Sequence, residues 1–247
     1  MTVVEDFDSY AVDLGLSVKW ASCNIGTNTP EGFGNFYAWG ETKTKRAFYW
    51  GNYPFCGKSR PASNDTIHWE YGDNGPNLAI YEYNTKEEWY KIDDELITQG
   101  GPDGKTQLDP ENDVATAQWG EGWRMPTKAE WEELYNGTEH ELVIEDGDEK
   151  KFRGLRLTSK AEGNQNSIFL PAAGYYSNTS HNCYYNSGND PQVEYWSSSL
   201  DEEYPYAACE LYFDKIYGSS VSGHRVFIID MMYFARNEGR PVRAVKP

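Results

Sequence analysis

Gly122-Trp-Arg-Met-Pro-Thr-Lys-Ala-Glu-Trp-Glu-Glu-Leu-Tyr135 is the stretch from which the fold is read. Thr127 followed three residues later by Glu130 makes a capping box. The hydroxyl accepts from the N3 amide while the carboxylate reaches back to the N-cap amide. Trp131, Leu134 and Tyr135 then recur at i, i+3 and i+4 and lie on one face. The spacing predicts a helix beginning at Lys128 that buries a tryptophan.

Short strands surround that helix. Val12-Asp-Leu-Gly-Leu-Ser-Val-Lys-Trp20 alternates apolar and polar residues around Gly15, which predicts two short strands joined by a turn. Gly34 to Gly40 reads as another strand. Four more follow late in the chain, at Ser167–Gly174, Tyr195–Ser199, Ala207–Asp214 and Arg240–Val245. Within the third, period two assigns Ala207, Cys209, Leu211 and Phe213 to the core. It assigns Ala208, Glu210, Tyr212 and Asp214 to solvent. Pro241 predicts an edge position or a strand start for the last one. Residues 41 to 107 lack periodicity and read as long loops, with one short helix near Thr85 to Leu96. The charge-dense run from Glu139 to Lys151 reads as a solvated hairpin or loop. Asp109-Pro110-Glu111 opens a short helix, with Asp at the N-cap and Pro at N1. The cluster Asp109, Glu111, Asp113 lacks the glycine and distal glutamate of an EF-hand loop, so it reads as capping, not calcium binding.

Composition narrows the function. The chain has 247 residues, 39 acidic against 22 basic, a net charge of −17 and a mean hydropathy of −0.77. Such acidity repels phosphate backbones and anionic lipid, which argues against nucleic-acid binding. No apolar run approaches the ~20 residues of a membrane span. Aromatics at 15% exclude disorder. Eight of the nine tryptophans lie at or before Trp131, whereas nine of the nineteen tyrosines fall between Tyr175 and Tyr217. The first half thus supplies large core-forming rings, and the second supplies amphipathic rings suited to recognition. Met1 to Asp8 has neither the basic nor the apolar region of a secretory signal.

Six segments in this order carry a resemblance: Val12 to Gly26, Tyr37-Ala-Trp-Gly-Glu41, Gly122 to Trp131, Phe169-Leu-Pro-Ala-Ala-Gly174, Tyr195-Trp-Ser-Ser-Ser199 and Gly239-Arg-Pro-Val-Arg-Ala-Val245. Together they resemble a paralogous family of surface and phage-borne proteins of gut anaerobes. That family is similar in turn to the formylglycine-generating-enzyme branch of the C-type lectin fold, and it includes variable proteins of diversity-generating retroelements. The resemblance implies a single α+β domain over 1–247, with a twisted antiparallel sheet, flanking helices and long irregular loops. Residues 1–9 are expected as a flexible leader and 175–238 as the ligand-binding, variable segment. It implies a frame held by Trp20, Trp39, Trp123, Trp131, Trp196 and the final strand. Ligand-binding positions are then expected at Tyr204, Tyr206, Tyr212, Tyr217, Ser219, Ser220, Ser222, His224, Phe227, Ile229 and Asp230. All are residue types that adenine-directed scrambling of Asn codons yields. Glu210 joins them by its place on the outward face of its strand. Val226 to Phe234 is expected as an extra strand or an exposed apolar patch.

The function so implied is non-enzymatic binding of a protein or cell-surface ligand, without cofactor or metal, outside the cell or on a phage particle. Two alternatives stand beside it: a formylglycine-generating-enzyme-like oxidase, and a structural surface or virion component. Cys23, Cys56, Cys183 and Cys209 are widely spaced with no C-x-x-C, which argues against zinc. They are buried thiols or, outside the cell, one or two disulfides. Cys209 is the only cysteine in the last sixty residues and alternates inward, where a thiol is inert. Calcium-dependent sugar binding is disfavoured because serines follow Trp196 where a lectin strand carries Asn-Asp. No nucleophile elbow or phosphate loop occurs.

Overall fold

The computed structural model describes residues 6–49, 52–54, 70–72, 75–77, 90–92, 95–97, 107–146, 148–182, 192–200, 207–216 and 226–247. Residues 70–77, 90–97, 148–151, 214–216, 226–230 and 233, where described, are described by backbone alone. β1 (Ala11–Val12) and β2 (Lys19–Ala21) pair antiparallel, with Val12 opposite Trp20. The turn between them forms as expected. Asp13 Oδ1 accepts from the Gly15 amide at 2.8 Å, and Gly15 sits at φ +72°, a left-handed conformation open to glycine. The expected leader is corrected in part: residues 7–10 form a 3-10 turn. Phe7 stacks on Trp119 with centroids 5.2 Å apart, and Asp8 pairs with Lys246.

β3 (Glu70–Gly72) pairs with β4 (Gly75–Asn77), and β5 (Tyr90–Ile92) with β6 (Glu95–Ile97). The helix expected near Thr85 to Leu96 is therefore corrected over its described part. Tyr and Ile suit a pleated surface, and Asp93-Asp94 interrupts a helical run. A 3-10 turn at Pro110–Asn112 leads into α1 (Val114–Trp119). Asp113 caps α1, accepting from the Ala115 and Thr116 amides, while its other oxygen accepts from Met125 N at 2.7 Å. α2 (Lys128–Gly137) carries the predicted capping box in both directions. Trp131 and Leu134 are buried, while Tyr135 lies at the rim, 36% exposed and stacked on His140.

β7 (Thr138–Glu145), β8 (Asp148–Ser159) and β9 (Ser167–Pro171) form one antiparallel sheet. The charged run is thus a hairpin, laced by Arg153–Glu145 and Arg156–Glu141 pairs. β10 (Tyr175–Ser177) and β11 (Ser180–Asn182) make a small hairpin. β12 (Val193–Leu200), β13 (Ala207–Ile216) and β14 (Val226–Ala235) make the last sheet, with β13 in the middle. Val226 to Phe234 is accordingly a strand. The architecture is mixed and mostly antiparallel, compatible with α+β, and no described helix is long and apolar enough to cross a membrane.

Two expectations about the late strands are corrected. β13 does not alternate between core and solvent: Ala208 and Glu210 are both 0% exposed. A central strand covered on both faces loses the alternation that a half-solvated one shows. Nor is Arg240–Val245 an edge. It is an extended strap through the interior, and only β15 (Val245–Lys246) lies at a sheet edge, beside β2. The strap bonds to four separate segments. Arg240 exchanges backbone bonds with Tyr37, the Pro241 carbonyl accepts from Trp196 N, Val242 and Ala244 carbonyls accept from Ile25 and Ala21, and Val245 exchanges with Arg124.

Alternation along the strap divides the core. Val242 and Ala244 join a cluster around Trp39, Trp123 and Trp196, and Val245 joins one around Trp20, Trp131 and Tyr195. The tryptophans interlock through their indoles. Trp39 Nε1 donates to Ser197 O and Trp196 Nε1 to Tyr37 O, each at 2.9 Å. Arg243, fully buried, donates to Asn24 Oδ1, Ala21 O and Phe169 O at 2.7–2.9 Å. Arg243→Met is expected to lower stability by about 3 kcal/mol or more, because each acceptor left bare in the interior costs about 1–3 kcal/mol. Urea denaturation would show it as a lower midpoint at unchanged slope.

Candidate functional site

The expected ligand-binding positions divide into three groups. Tyr204, Tyr206, Tyr217, Ser219, Ser220, Ser222 and His224 lie outside the described residues. Phe227, Ile229 and Asp230 lie on β14, opposite Lys215, Phe213 and Tyr212 in the ladder, and only their backbone is described. Tyr212 and Glu210 are described in full, and they part company. Tyr212 is half-buried, accepts from Gln192 Nε2 at 3.0 Å through its hydroxyl, and stacks on Phe234. Glu210, expected on a binding face, is buried and paired with Arg240. Its place is structural, because a carboxylate on a central strand needs a cation inside the protein.

That pairing belongs to a cluster beneath the β10–β11 hairpin. The Arg240 guanidinium meets Glu210, Glu194 at 3.2 Å and Glu238 at 3.0 Å. Three rings enclose it, those of Trp196 at 4.5 Å, Phe234 at 4.8 Å and Tyr175 at 5.1 Å. Burial pulls Arg240 down to about 10, against the opposing pull of Glu194. Burial and the charge of Glu194 push Glu238 up to about 8, while a hydrogen bond with Ser177 opposes the rise. Three carboxyls facing one guanidinium favour keeping one of them protonated. The sequence does hold a signal for this cluster. Glu194 stands between Val193 and Tyr195, Glu210 between Cys209 and Leu211, and Arg240 opens an otherwise apolar run. A charge inside a buried strand calls for a countercharge.

The hairpin rests on this cluster through Ser177 and Tyr175. It is also tied by backbone bonds, Tyr176 exchanging with Gly239 and Asn178 with Phe48. The hairpin also carries a group of rings that runs from the edge of the core cluster, where Tyr176 and Phe36 pack, out to solvent at Phe33. Tyr176 and His181 stack in parallel at 4.5 Å, with Phe36 edge-on to both and Phe33 edge-on to His181. Phe33 is 41% exposed. His181 Nε2 lies 2.7 Å from Ala173 O, which fixes the proton on that nitrogen and holds the ring in place. Tyr175, Tyr176 and Ser177 are half-buried, while Asn178, Thr179 and Ser180 face solvent. This is a preset surface of aromatic and small polar groups within the segment expected to bind ligand.

Reactive chemistry is less well provided for. Cys209 is 2% exposed and its Sγ donates to Leu200 O at 3.4 Å, while Cys23 Sγ donates to Thr27 O at 3.2 Å. Cys56 and Cys183 lie outside the described residues. Among the described residues, no group of three His, Cys, Asp or Glu side chains is disposed to hold a metal ion. Comparison of the chain with protein-family models, with curated proteins and with solved structures finds no match.

The raised Glu238 sets a pH dependence. A carboxyl whose folded pKa exceeds its unfolded value binds an extra proton on folding. Its contribution is full below the unfolded value, near 4.5, and is lost as pH rises through about 8. Glu238→Gln, which imitates the protonated form, should therefore gain on the wild type as pH is raised from about 5 to about 8. Urea midpoints of both proteins across that range measure the gap, and a constant gap would contradict the assignment.

Proposed function

We propose that this chain is a non-enzymatic recognition protein on a C-type-lectin-like frame of the formylglycine-generating-enzyme branch, working outside the cell or on a phage particle. Its ligand is a protein or cell-surface molecule. The observation that carries the reading is the ring-bearing β10–β11 hairpin, tied at β10 and at its turn by backbone bonds to Gly239 and Phe48, beside a buried tryptophan frame. Rigid aromatics beside adaptable Ser and Asn give contact area at small entropic cost, as antibody loops do. The six segments that carry the family resemblance also converge in this frame. Trp20, Trp39, Trp123, Trp131, Trp196 and Val242 come from five of them, and Leu170 of the sixth packs beside Trp20. In this reading Tyr212 and the chain around it complete the face, and Glu210 serves the interior beneath it.

The reading is tested with fluorescently labelled protein on a panel of bacterial and mammalian cells. The wild type is expected to stain a subset of surfaces. The variant Tyr176→Ala/His181→Ala/Tyr212→Ala should lose at least ~10-fold in half-saturating concentration, in line with aromatic hot spots of about 2 kcal/mol or more at recognition surfaces. It should retain a cooperative thermal transition. Staining unchanged in a folded triple variant removes this face from consideration. The oxidase alternative makes a different demand, a reactive thiolate. Alkylation of the native protein followed by peptide mapping should leave Cys209 unmodified until the chain is unfolded, and rapid native labelling of Cys209 would favour the oxidase.

A further inference from the structure

Apart from the tyrosine-rich segment, the described surface contains a cleft of about 510 Å³ lined by Phe7, Ile25, Gly26, Thr27, Asn28, Gln118 and Trp119. Its volume falls in the ~300–1,000 Å³ range of small-ligand sites. Three elements build it: the N-terminal 3-10 turn, the turn after β2 and the last residues of α1. The walls are set before any ligand arrives. Phe7 and Trp119 stack on each other, and Trp119 is also braced edge-on by Trp123 at 5.0 Å. The 25–28 turn is fastened by bonds from Asn35 N to Ile25 O, Thr27 N to Asn24 O and Cys23 Sγ to Thr27 O. Gly26 sits at φ +91°, and a Cβ there would lie 2.3 Å from the Asn35 amide. Gln118 is fixed by its Nε2, which donates to Thr42 O at 3.0 Å and leaves Oε1 as an acceptor.

Among the described residues the lining is uncharged, in a chain of which 25% is charged and whose net charge is −17. A cation would find two rings but no carboxylate among the described groups, and an anion would require a basic group to offset the surrounding field. The groups present are two rings, two primary amides and a hydroxyl. That set matches a ligand with one flat C–H face and several hydroxyl or amide groups. The rings take the apolar face and the amides take the hydroxyls. We infer that this cleft binds a neutral sugar, a hexose or N-acetylhexosamine unit, without a metal. The site is separate from the proposed recognition face, so either can fail without the other.

Saturation-transfer NMR on the full chain tests the inference, using the methyl glycosides of glucose, galactose and N-acetylglucosamine, with methyl glucuronide and choline as charged probes. At least one neutral glycoside should receive magnetisation, and both charged probes should receive less. Asn28 and Gln118 are exposed, so Asn28→Ala and Gln118→Ala should fold normally. Each should weaken binding about five- to ten-fold, the loss of a hydrogen bond of about 1 kcal/mol or slightly more. Tyr212→Ala should leave it unchanged. The inference is overturned by absence of transfer to every neutral glycoside, by transfer that survives the combined Asn28→Ala/Gln118→Ala substitution, or by preferential binding of choline.

Discussion

The structure depends on placing one guanidinium. Arg240 lies fully inside the protein among Glu194, Glu210, Glu238 and three aromatic rings. Each of these groups would be expensive to bury alone. Their positions are therefore coupled. The strap bearing Arg240, the neighbouring strands β12 and β13 bearing Glu194 and Glu210, and the turn bearing Glu238 must all come into register together. A buried ion cluster adds little net stability over an apolar core of equal shape, yet breaking one costs several kcal/mol. Its effect is thus strongest on wrong arrangements. A strap displaced by one residue would leave uncompensated carboxylates inside the protein.

The strap's other residues turn this constraint into an architecture. Extended chain sends alternate side chains to opposite sides, so Val242 and Ala244 reach one tryptophan cluster and Val245 the other. Arg243 sends its donors to Asn24 and to two backbone carbonyls, one of them at the end of β2 and one in β9. A segment of six residues thereby links four parts of the chain that are far apart in sequence. The β10–β11 hairpin inherits this rigidity through Gly239, the residue before Arg240, which exchanges bonds with Tyr176.

Local signals were legible where neighbours in sequence are neighbours in space. The Thr127–Glu130 capping box, the Gly15 turn and the Trp131–Leu134 stripe all form as their spacing predicts. The five frame tryptophans are buried, as large rings demand. The failures share one cause, which is that alternation reports exposure only when one face of a strand is wet. β13 is covered on both faces, so Glu210 was read as outward when its partner lay 30 residues further on. Pro241 signals an edge position or a strand start by the usual rule, but the strap bonds to several segments and not to one ladder, so a missing amide breaks nothing. The cleft at Trp119 left no pattern either, since its walls come from residues 7, 25–28 and 118–119.

The Glu238 carboxyl joins the interior to the surface. It touches Arg240 on one side and Ser177 of the hairpin on the other. Whatever changes its charge acts on both. With the proton in place, the cluster around Arg240 carries one negative charge fewer than with all three carboxyls ionised. Without it, an added negative charge lies beside Glu194 with little water to screen it. The chain as a whole carries −17, so the surrounding field opposes that ionisation further. Low pH therefore favours the hairpin's seating, through a group that the hairpin itself helps to bury. The fold that carries the hairpin therefore loses the contribution of this group as pH rises through about 8.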